Sequence, residues 1–253
     1  MVKGFHYLAL LLVCACTCTA VEVENVETVC SALKPDTSIP PQRRMVVVGD
    51  IHGAYDGLRE VLFHANVTTS AEGQCEWVEQ PAEGTTLLQI GDIVDRGPGS
   101  VEVWRCLDTL AETAPDDSEA VILLGNHDLW WLKGYFGDRN EETDTKANIM
   151  EVLQRMRDAL GSQRMRGAYL HEVRGIKTIF THAGFRPEML SAIRDKQGGD
   201  FSPESLVDYY NDKVLEHHNC TSLFCPYRDE IFDAGPDRGG HSIGGPLWTD
   251  FGV

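Results

Sequence analysis

Short apolar runs alternate with helical patterns through the first half of this chain. The mostly apolar runs at 45–48, 87–90 and 121–124 each stop at Gly-Asp or Gly-Asn, as buried strands of a parallel sheet often do. Between them, apolar residues recur at helical spacing over 55–65 and over Ser100–Glu112. This β-α-β-α-β series predicts an α/β fold with right-handed crossovers.

The pattern changes after the third predicted strand. Residues 129–167 start with an aromatic cluster and continue through a polar run into a helix at about 147–160, which predicts an inserted helical subdomain. The cluster contains Trp130, Trp131, Tyr135 and Phe136. These rings either pack in the core or form a wall of a substrate cleft. Beyond the insertion, Val173 and 176–181 suggest a hairpin, and 187–193 and 203–217 have helical patterns.

The amino terminus has the composition of a secretory signal peptide over residues 1–20. Lys3 precedes a short apolar stretch at 7–15, and small residues end the segment. An uncleaved anchor is the alternative, although the apolar run is short for a membrane span, and none is expected in the mature chain. Residues 21–44 contain three prolines and no periodicity, so we expect an extended lead-in and a domain over 45–253.

Secretion would leave five cysteines, which are Cys30, Cys75, Cys106, Cys220 and Cys225. We expect a disulfide between Cys220 and Cys225, because both lie in one short loop-like stretch. Cys106 lies in a helical pattern and is expected to be a small buried hydrophobic residue. Sequons begin at Asn66 and Asn219, and both positions should lie on the surface if the protein is a glycoprotein.

Three motifs place polar side chains directly after the predicted strands. They read Gly-Asp-Ile-His-Gly at 49–53, Gly-Asp-Ile-Val-Asp-Arg-Gly at 91–97 and Gly-Asn-His-Asp at 125–128. Open α/β sheets bind ligands at the carboxyl ends of their strands, so we expect these side chains to converge. Carboxylate, imidazole and amide groups together suit transition metals such as manganese, iron or zinc.

These motifs, followed by His-Ala-Gly at 182–184, resemble those of the calcineurin-like metallophosphoesterases. The Asp-Arg at 95–96 is similar to the phosphoprotein phosphatase branch. The final Asp128 of the third motif and the Gly-Gly-Pro-Leu-Trp at 244–248 are closer to its bacterial-like members, the Shewanella-like phosphatases. The resemblance covers about residues 45–250. It implies a β-sandwich flanked by helices and a site for two divalent or trivalent metal ions.

The resemblance and the residue types together assign the metal ligands. Asp50 and His52 would bind one ion, Asn126 and His182 the other, and Asp92 would bridge both through its two oxygens. Two such ions activate a water molecule for in-line attack on phosphorus.

The same comparison assigns the groups that act on the substrate. His127 would protonate the leaving oxygen as a general acid, with Asp95 orienting its ring. Arg96 would bind phosphate oxygens together with Asn126. Asp128 is expected to be a helix cap or a surface charge.

The carboxyl terminus departs from the family pattern. The family has a further metal-binding histidine in a Gly-His context, and usually a second phosphate-binding arginine, downstream of the segment that 246–250 resembles. Since the sequence stops at Val253, we expect a truncated terminus and a second ion held by Asp92, Asn126 and His182 with water. His241 lies on the other side of that segment and is a possible substitute.

The formal net charge of −17 argues against a nucleic-acid partner, because phosphate backbones bind basic surfaces. A phosphorylated substrate would therefore depend on the positive charge of metals and of Arg96. The sequence predicts a metal-dependent phosphomonoesterase that acts on phosphoproteins or small phosphoesters. The alternatives are a diadenosine polyphosphate hydrolase and a catalytically impaired, metal-binding interaction protein.

Overall fold

The computed structural model describes residues 44–79, 84–199 and 202–219, together with 224, 226–227, 229–235, 240 and 244–249. The predicted signal peptide, the lead-in up to residue 43, the pair Cys220 and Cys225, and His241 lie outside these described residues. The expectations about them therefore stay predictions.

The central sheet contains four parallel strands in chain order. They are β1 (Arg44–Val48), β2 (Thr85–Gln89), β3 (Glu119–Leu123) and β4 (Met165–Arg166). The first three strands lie where the apolar runs predicted them, whereas β4 has only two residues and no recognisable pattern. Val48 pairs with Gln89 and Gln89 pairs with Ile122, so the three motifs begin at the same edge of the sheet.

Helices cover one face of this sheet. They are α1 (Tyr55–His64), α2 (Ser100–Glu112), α3 (Asn126–Leu132) and α4 (Lys146–Gly161). Thr145 is the N-cap of helix α4, and its side chain accepts a hydrogen bond from the Asn148 N–H. The helix buries Val152 and Met156 in the main core. It also packs against α2, where Arg155 of α4 pairs with Asp108 of α2 at 2.7 Å.

A hairpin covers the other face. Strands β5 (Tyr169–Val173) and β6 (Ile176–Phe180) pair in antiparallel fashion, and Tyr169 and Phe180 pack against a second apolar cluster of Leu88, Val121 and Leu123. Helices α5 (Pro187–Gln197) and α6 (Pro203–His218) follow. The layers on both faces of the sheet confirm the predicted α/β fold. Within the described ranges, no helix is both long enough and apolar enough to span a membrane.

A disulfide joins Cys75 to Cys106 across a Cα–Cα distance of 5.2 Å. Cys106 is buried in the hydrophobic core, as expected, but it is also one half of this disulfide. Helix α2 directs Cys106 toward the loop after α1, and the same contact includes a hydrogen bond from Trp77 Nε1 to the Leu110 carbonyl at 2.7 Å. The partner lies 31 residues away along the chain, and no local pattern marks it.

Removing this disulfide should destabilise the fold. We expect the double variant Cys75→Ala/Cys106→Ala to lower the free energy of unfolding by about 2–4 kcal/mol, because the cross-link restricts the unfolded chain. Urea unfolding of the variant and of the reduced wild-type protein measures the effect, and the two should agree. Equal stability of the oxidised wild type and the double variant would contradict the assignment.

Candidate metal and catalytic site

The loops after β1 and β2 carry an unusual backbone. His52, Asp92, Asp95 and Arg96 all have positive φ angles, of 47°, 58°, 74° and 65°. Non-glycine residues adopt this conformation at an energetic cost, and such strain is concentrated at functional sites. The loops also pack too closely for a side chain at Gly91, since a Cβ there would lie 2.6 Å from the Cα of Gly125.

Asp92 lies at the centre of the predicted ligand set. Its carboxylate forms one possible metal-binding group with His52 and His127 and another with Asp50 and His182, and the ligand atoms of each group lie within 4.8 Å of one another. Asp92 and His52 are buried, whereas Asp50 is exposed. Asp92 therefore belongs to both groups, but these combine the other residues differently from the prediction, since Asp50 lies with His182 and His52 lies with His127.

His52 presents an unpaired nitrogen to this carboxylate. Its Nδ1 lies 2.8 Å from the Val94 carbonyl oxygen and donates to it, which leaves Nε2 with a lone pair. Nε2 is buried, lies 3.5 Å from Asp92 Oδ2, and has no hydrogen-bond partner among the described residues. Burial lowers the pKa of His52, although the Val94 bond and the Asp92 charge oppose this. A neutral imidazole with a free lone pair is the form that binds a metal.

His182 and Asn126 make a second unsatisfied arrangement. His182 Nδ1 lies 2.8 Å from the Ile90 carbonyl oxygen, which fixes the proton on that nitrogen. His182 Nε2 then faces Asn126 Oδ1 at 2.8 Å and Asp92 Oδ2 at 3.6 Å. Three acceptor atoms converge here, and a cation bound among them would satisfy all three. The donor atoms around Asp92 therefore fit a pair of transition-metal ions.

A hydrogen bond to Asp95 holds the His127 ring in place. Its Nδ1 donates to Asp95 Oδ2 at 2.7 Å, and its backbone N–H donates to Asp92 Oδ1 at 2.9 Å. Burial lowers the pKa of His127, but the Asp95 hydrogen bond and the charges of Asp92 and Asp95 outweigh it, so that pKa lies above its usual value. Nε2 is thereby directed to the space beside the ligand cluster.

Arg96 reaches the same space from the exposed side. Its Nη2 lies 3.2 Å from His127 Nε2, and its side chain is exposed. The backbone of Arg96 is held by the Asp138 carbonyl, which accepts from its N–H, and by Asn140 Nδ2, which donates to its carbonyl. These contacts hold the arginine in its strained conformation at the rim of the site.

Trp131 fixes the orientation of Asp95. Its Nε1 donates to Asp95 Oδ1 at 2.7 Å, and both residues are almost completely buried. One oxygen of Asp95 therefore binds the indole while the other binds His127. The sequence placed Trp131 only in an aromatic cluster, because the pairing depends on how α3 packs against the second motif.

Removing this indole donor should weaken catalysis without removing the ligands. We expect Trp131→Phe to lower kcat by about three- to tenfold, because a rotated Asp95 no longer holds the His127 ring in place. The loss should be larger for substrates with poor leaving groups. An equal loss for good and poor leaving groups would show that Trp131 supports only the fold.

The sequence predicted that Asp128 is either a helix cap or a surface charge. It is a helix cap and not a surface charge. It is fully buried in the first turn of α3, and its carboxylate accepts from the backbone N–H groups of Gly125, Asp92 and Ile93 at 2.9–3.0 Å. Burial and the charge of Asp92 raise its pKa to about 7, while the bonds from Gly125 and Ile93 oppose this rise. Asp128 thus ties the third motif to the second.

Both sequons begin at exposed positions, as glycosylation would require. Asn66 follows α1 and Asn219 follows α6. Glycosylation itself stays a prediction.

Residues 43–244 match the family model of the calcineurin-like phosphoesterases. The chain belongs to this family. Calcineurin-like phosphoesterases use a dinuclear metal centre, and the donors around Asp92 are the candidate ligands of that centre here.

Curated relatives and a solved structure extend the comparison. The chain is 31% identical over 143 residues to a symmetrical bis(5'-nucleosyl)-tetraphosphatase of Citrobacter koseri, and 32% identical to that of Salmonella arizonae. Each match covers 56% of this chain and 43% of the relative. A cold-active protein-tyrosine phosphatase of a psychrophilic Shewanella species shares the fold with a TM-score of 0.53, at 19% identity over 81% of this chain and 56% of that one. The chain thus spans about half the length of these relatives.

Proposed function

We propose that this chain is a metal-dependent phosphomonoesterase that acts on phosphorylated proteins. The observation that carries the proposal is the position of His127 and Arg96, whose nitrogen atoms lie 3.2 Å apart beside the carboxylate and imidazole donors around Asp92. A bound phosphate ester can contact a cationic guanidinium, an imidazole and the ligand cluster at once. This combination suits hydrolysis at phosphorus better than metal storage alone.

Each residue has a role in this proposal. Asp50, His52, Asp92, Asn126 and His182 would hold two ions, of manganese, iron or zinc. When bound, such ions supply a nucleophile at neutral pH and neutralise phosphate charge. Arg96 binds phosphate oxygens through its planar fork, and Asn126 contributes its amide. His127, oriented by Asp95, gives a proton from Nε2 to the leaving oxygen.

The test is turnover of phosphopeptides by the purified chain with added manganese. Activity that appears with metal and disappears with a chelator supports the proposal. Chelator-resistant hydrolysis rejects the metal-dependent mechanism. Stoichiometric metal binding without turnover of any phosphoester would support the alternative of a metal-binding interaction protein.

A second candidate is hydrolysis of diadenosine polyphosphates, which the names of the curated relatives favour. The same metal ligands and the same acid would serve a phosphoanhydride. Comparing kcat/KM for a phosphopeptide and for diadenosine tetraphosphate distinguishes the two substrates. A preference for the dinucleotide of more than about tenfold would replace the first proposal by the second.

We also propose that the protein enters the secretory pathway. The signal-like segment at 1–20, the exposed sequon residues and the Cys75–Cys106 disulfide support this, because stable disulfides belong to oxidising compartments. Sequencing the amino terminus of the protein from its host tests the proposal. A mature protein that retains residues 1–20 and free thiols at Cys75 and Cys106 would contradict it.

A further inference from the structure

Three aromatic side chains line the space beside His127, namely Trp130, Tyr135 and Trp248, which we call the aromatic wall. The Trp130 ring lies 4.6 Å from the His127 ring, 5.3 Å from Tyr135 and 5.2 Å from Trp248, measured between centroids. Tyr135 is 54% exposed, and Trp130 and Trp248 are half-buried. The neighbouring Trp131, in contrast, is completely buried. The wall therefore presents ring surface to solvent next to the proposed general acid.

The end of α3 builds one side of the wall. Gly134 adopts a left-handed φ of 84°, its N–H donates to the Trp131 carbonyl at 2.9 Å, and the Tyr135 N–H donates to the Trp130 carbonyl at 2.8 Å. This is a Schellman motif, which ends the helix and reverses the chain. The reversal brings the Tyr135 ring back over Trp130.

A tight turn at residues 245–248 builds the other side, and the Trp248 N–H donates to the Gly245 carbonyl across it at 2.9 Å. Trp248 Nε1 donates to the Phe232 carbonyl at 3.2 Å, which fixes the indole plane. The same turn is joined to the His-Ala-Gly motif, because the Ala183 N–H donates to the Pro246 carbonyl at 2.7 Å. The wall is thus attached to both the third motif and the His182 loop, and its rings are held by the frame that holds the metal ligands.

We propose that the aromatic wall binds the ring of an aryl phosphomonoester, in which an aromatic ring is bonded directly to the leaving oxygen, as in phosphotyrosine. The inference rests on the proposed function, since it takes His127 as the acid for that oxygen. A substrate group that contacts His127 must then be the part of the leaving group that is bonded directly to the leaving oxygen. A phenyl ring meets this condition, whereas the base of a dinucleotide is separated from the leaving oxygen by ribose and phosphate.

Stacking of the substrate ring against two or three rings of the wall contributes modestly to the free energy of binding, and it does so only for aryl substrates. Offset and edge-to-face aromatic pairs favour association beyond their buried area. Losing Trp130 should therefore reduce aryl recognition by about tenfold relative to alkyl recognition. A displaced His127 would instead reduce the turnover of alkyl esters, which have the poorer leaving groups, at least as strongly as that of aryl esters.

The experiment compares Trp130→Ala and Tyr135→Ala with the wild type on two matched substrate pairs. Manganese-loaded protein is titrated calorimetrically with phenylphosphonate and with methylphosphonate, which bind without turnover. The kcat/KM values are measured for one peptide sequence that carries either phosphotyrosine or phosphoserine. We expect the wild type to bind phenylphosphonate more tightly, and both variants to lose more on the aryl member of each pair. Trp130→Phe should recover most of the loss.

Phe63→Ala is the control, because Phe63 is 43% exposed on α1 and is not part of the wall. It should leave both preferences unchanged. Equal losses on aryl and alkyl members would overturn the inference, as would a wild type with no preference for phenylphosphonate. A larger effect of Trp130→Ala on adenosine monophosphate than on phenylphosphonate would also overturn it. If no peptide is hydrolysed, the proposed function fails, while the phosphonate titrations still decide the aromatic wall.

Discussion

Replacing Asp92 by asparagine should lower phosphatase activity by about 10³-fold or more. The Asp92 carboxylate contributes to both ligand groups, and asparagine has one neutral oxygen in place of two charged ones. The loss of a shared metal ligand removes several kcal/mol of transition-state stabilisation, at about 1.4 kcal/mol for each factor of ten. Steady-state turnover of a phosphopeptide and calorimetric titration with manganese measure the two effects.

The asparagine should preserve the fold, because it can still accept from the His127 N–H that Asp92 Oδ1 binds at 2.9 Å. Urea unfolding in chelator checks this. Asp56→Asn is the matched control, since Asp56 lies on the exposed surface of α1 and pairs only with Arg59 in the described part of the chain. Retention of more than about a tenth of the activity by Asp92→Asn would reject the shared-ligand role.

The second large effect is expected for His127→Gln. General acid catalysis contributes about 10²–10⁴-fold, and the loss should fall in this range for a phosphopeptide with a poor leaving group. A nitrophenyl ester needs little protonation as it leaves, so its loss should be about tenfold or less. The dependence on leaving group is the diagnostic result, and it is measured as the ratio of kcat values for the two esters.

Metal content distinguishes this role from direct coordination. His127 Nδ1 is occupied by Asp95, although the ring lies close to His52 and Asp92. The variant should therefore bind manganese with wild-type stoichiometry. Equal losses on both esters, together with loss of one ion, would show that His127 is a ligand and not the acid.

The sequence predicted the parts of this fold that depend on local signals. Strands β1 to β3 and helices α1 and α2 have strong apolar patterns, and the structure places them within two residues of the expected bounds. Strand β4 could not be predicted, because two residues carry no periodicity and the strand exists only through its pairing with β3. The same reason explains Cys75–Cys106, which depends on how a loop packs on α2.

In the candidate site too, local patterns predicted some residues, whereas others depend on how distant parts of the chain pack together. Motif residues such as Asp92 and His127 could be identified because each follows a strand, and parallel strands bring their ends to one edge. The supporting contacts could not, since Asp128 and Trp131 act on residues about 35 positions away. In the sequence, the two side chains have the pattern of an ordinary helix cap and an ordinary core ring. Their roles depend on how helix α3 packs against the second motif.

Anomalous diffraction from crystals grown with manganese, recorded on both sides of the manganese edge, would locate the ions of the proposed dinuclear centre. We expect two anomalous peaks that share the Asp92 carboxylate. One should lie beside His52 Nε2, and the other beside His182 Nε2 and Asn126 Oδ1. Peaks confined to surface carboxylates, or a single ion that does not contact Asp92, would contradict this expectation.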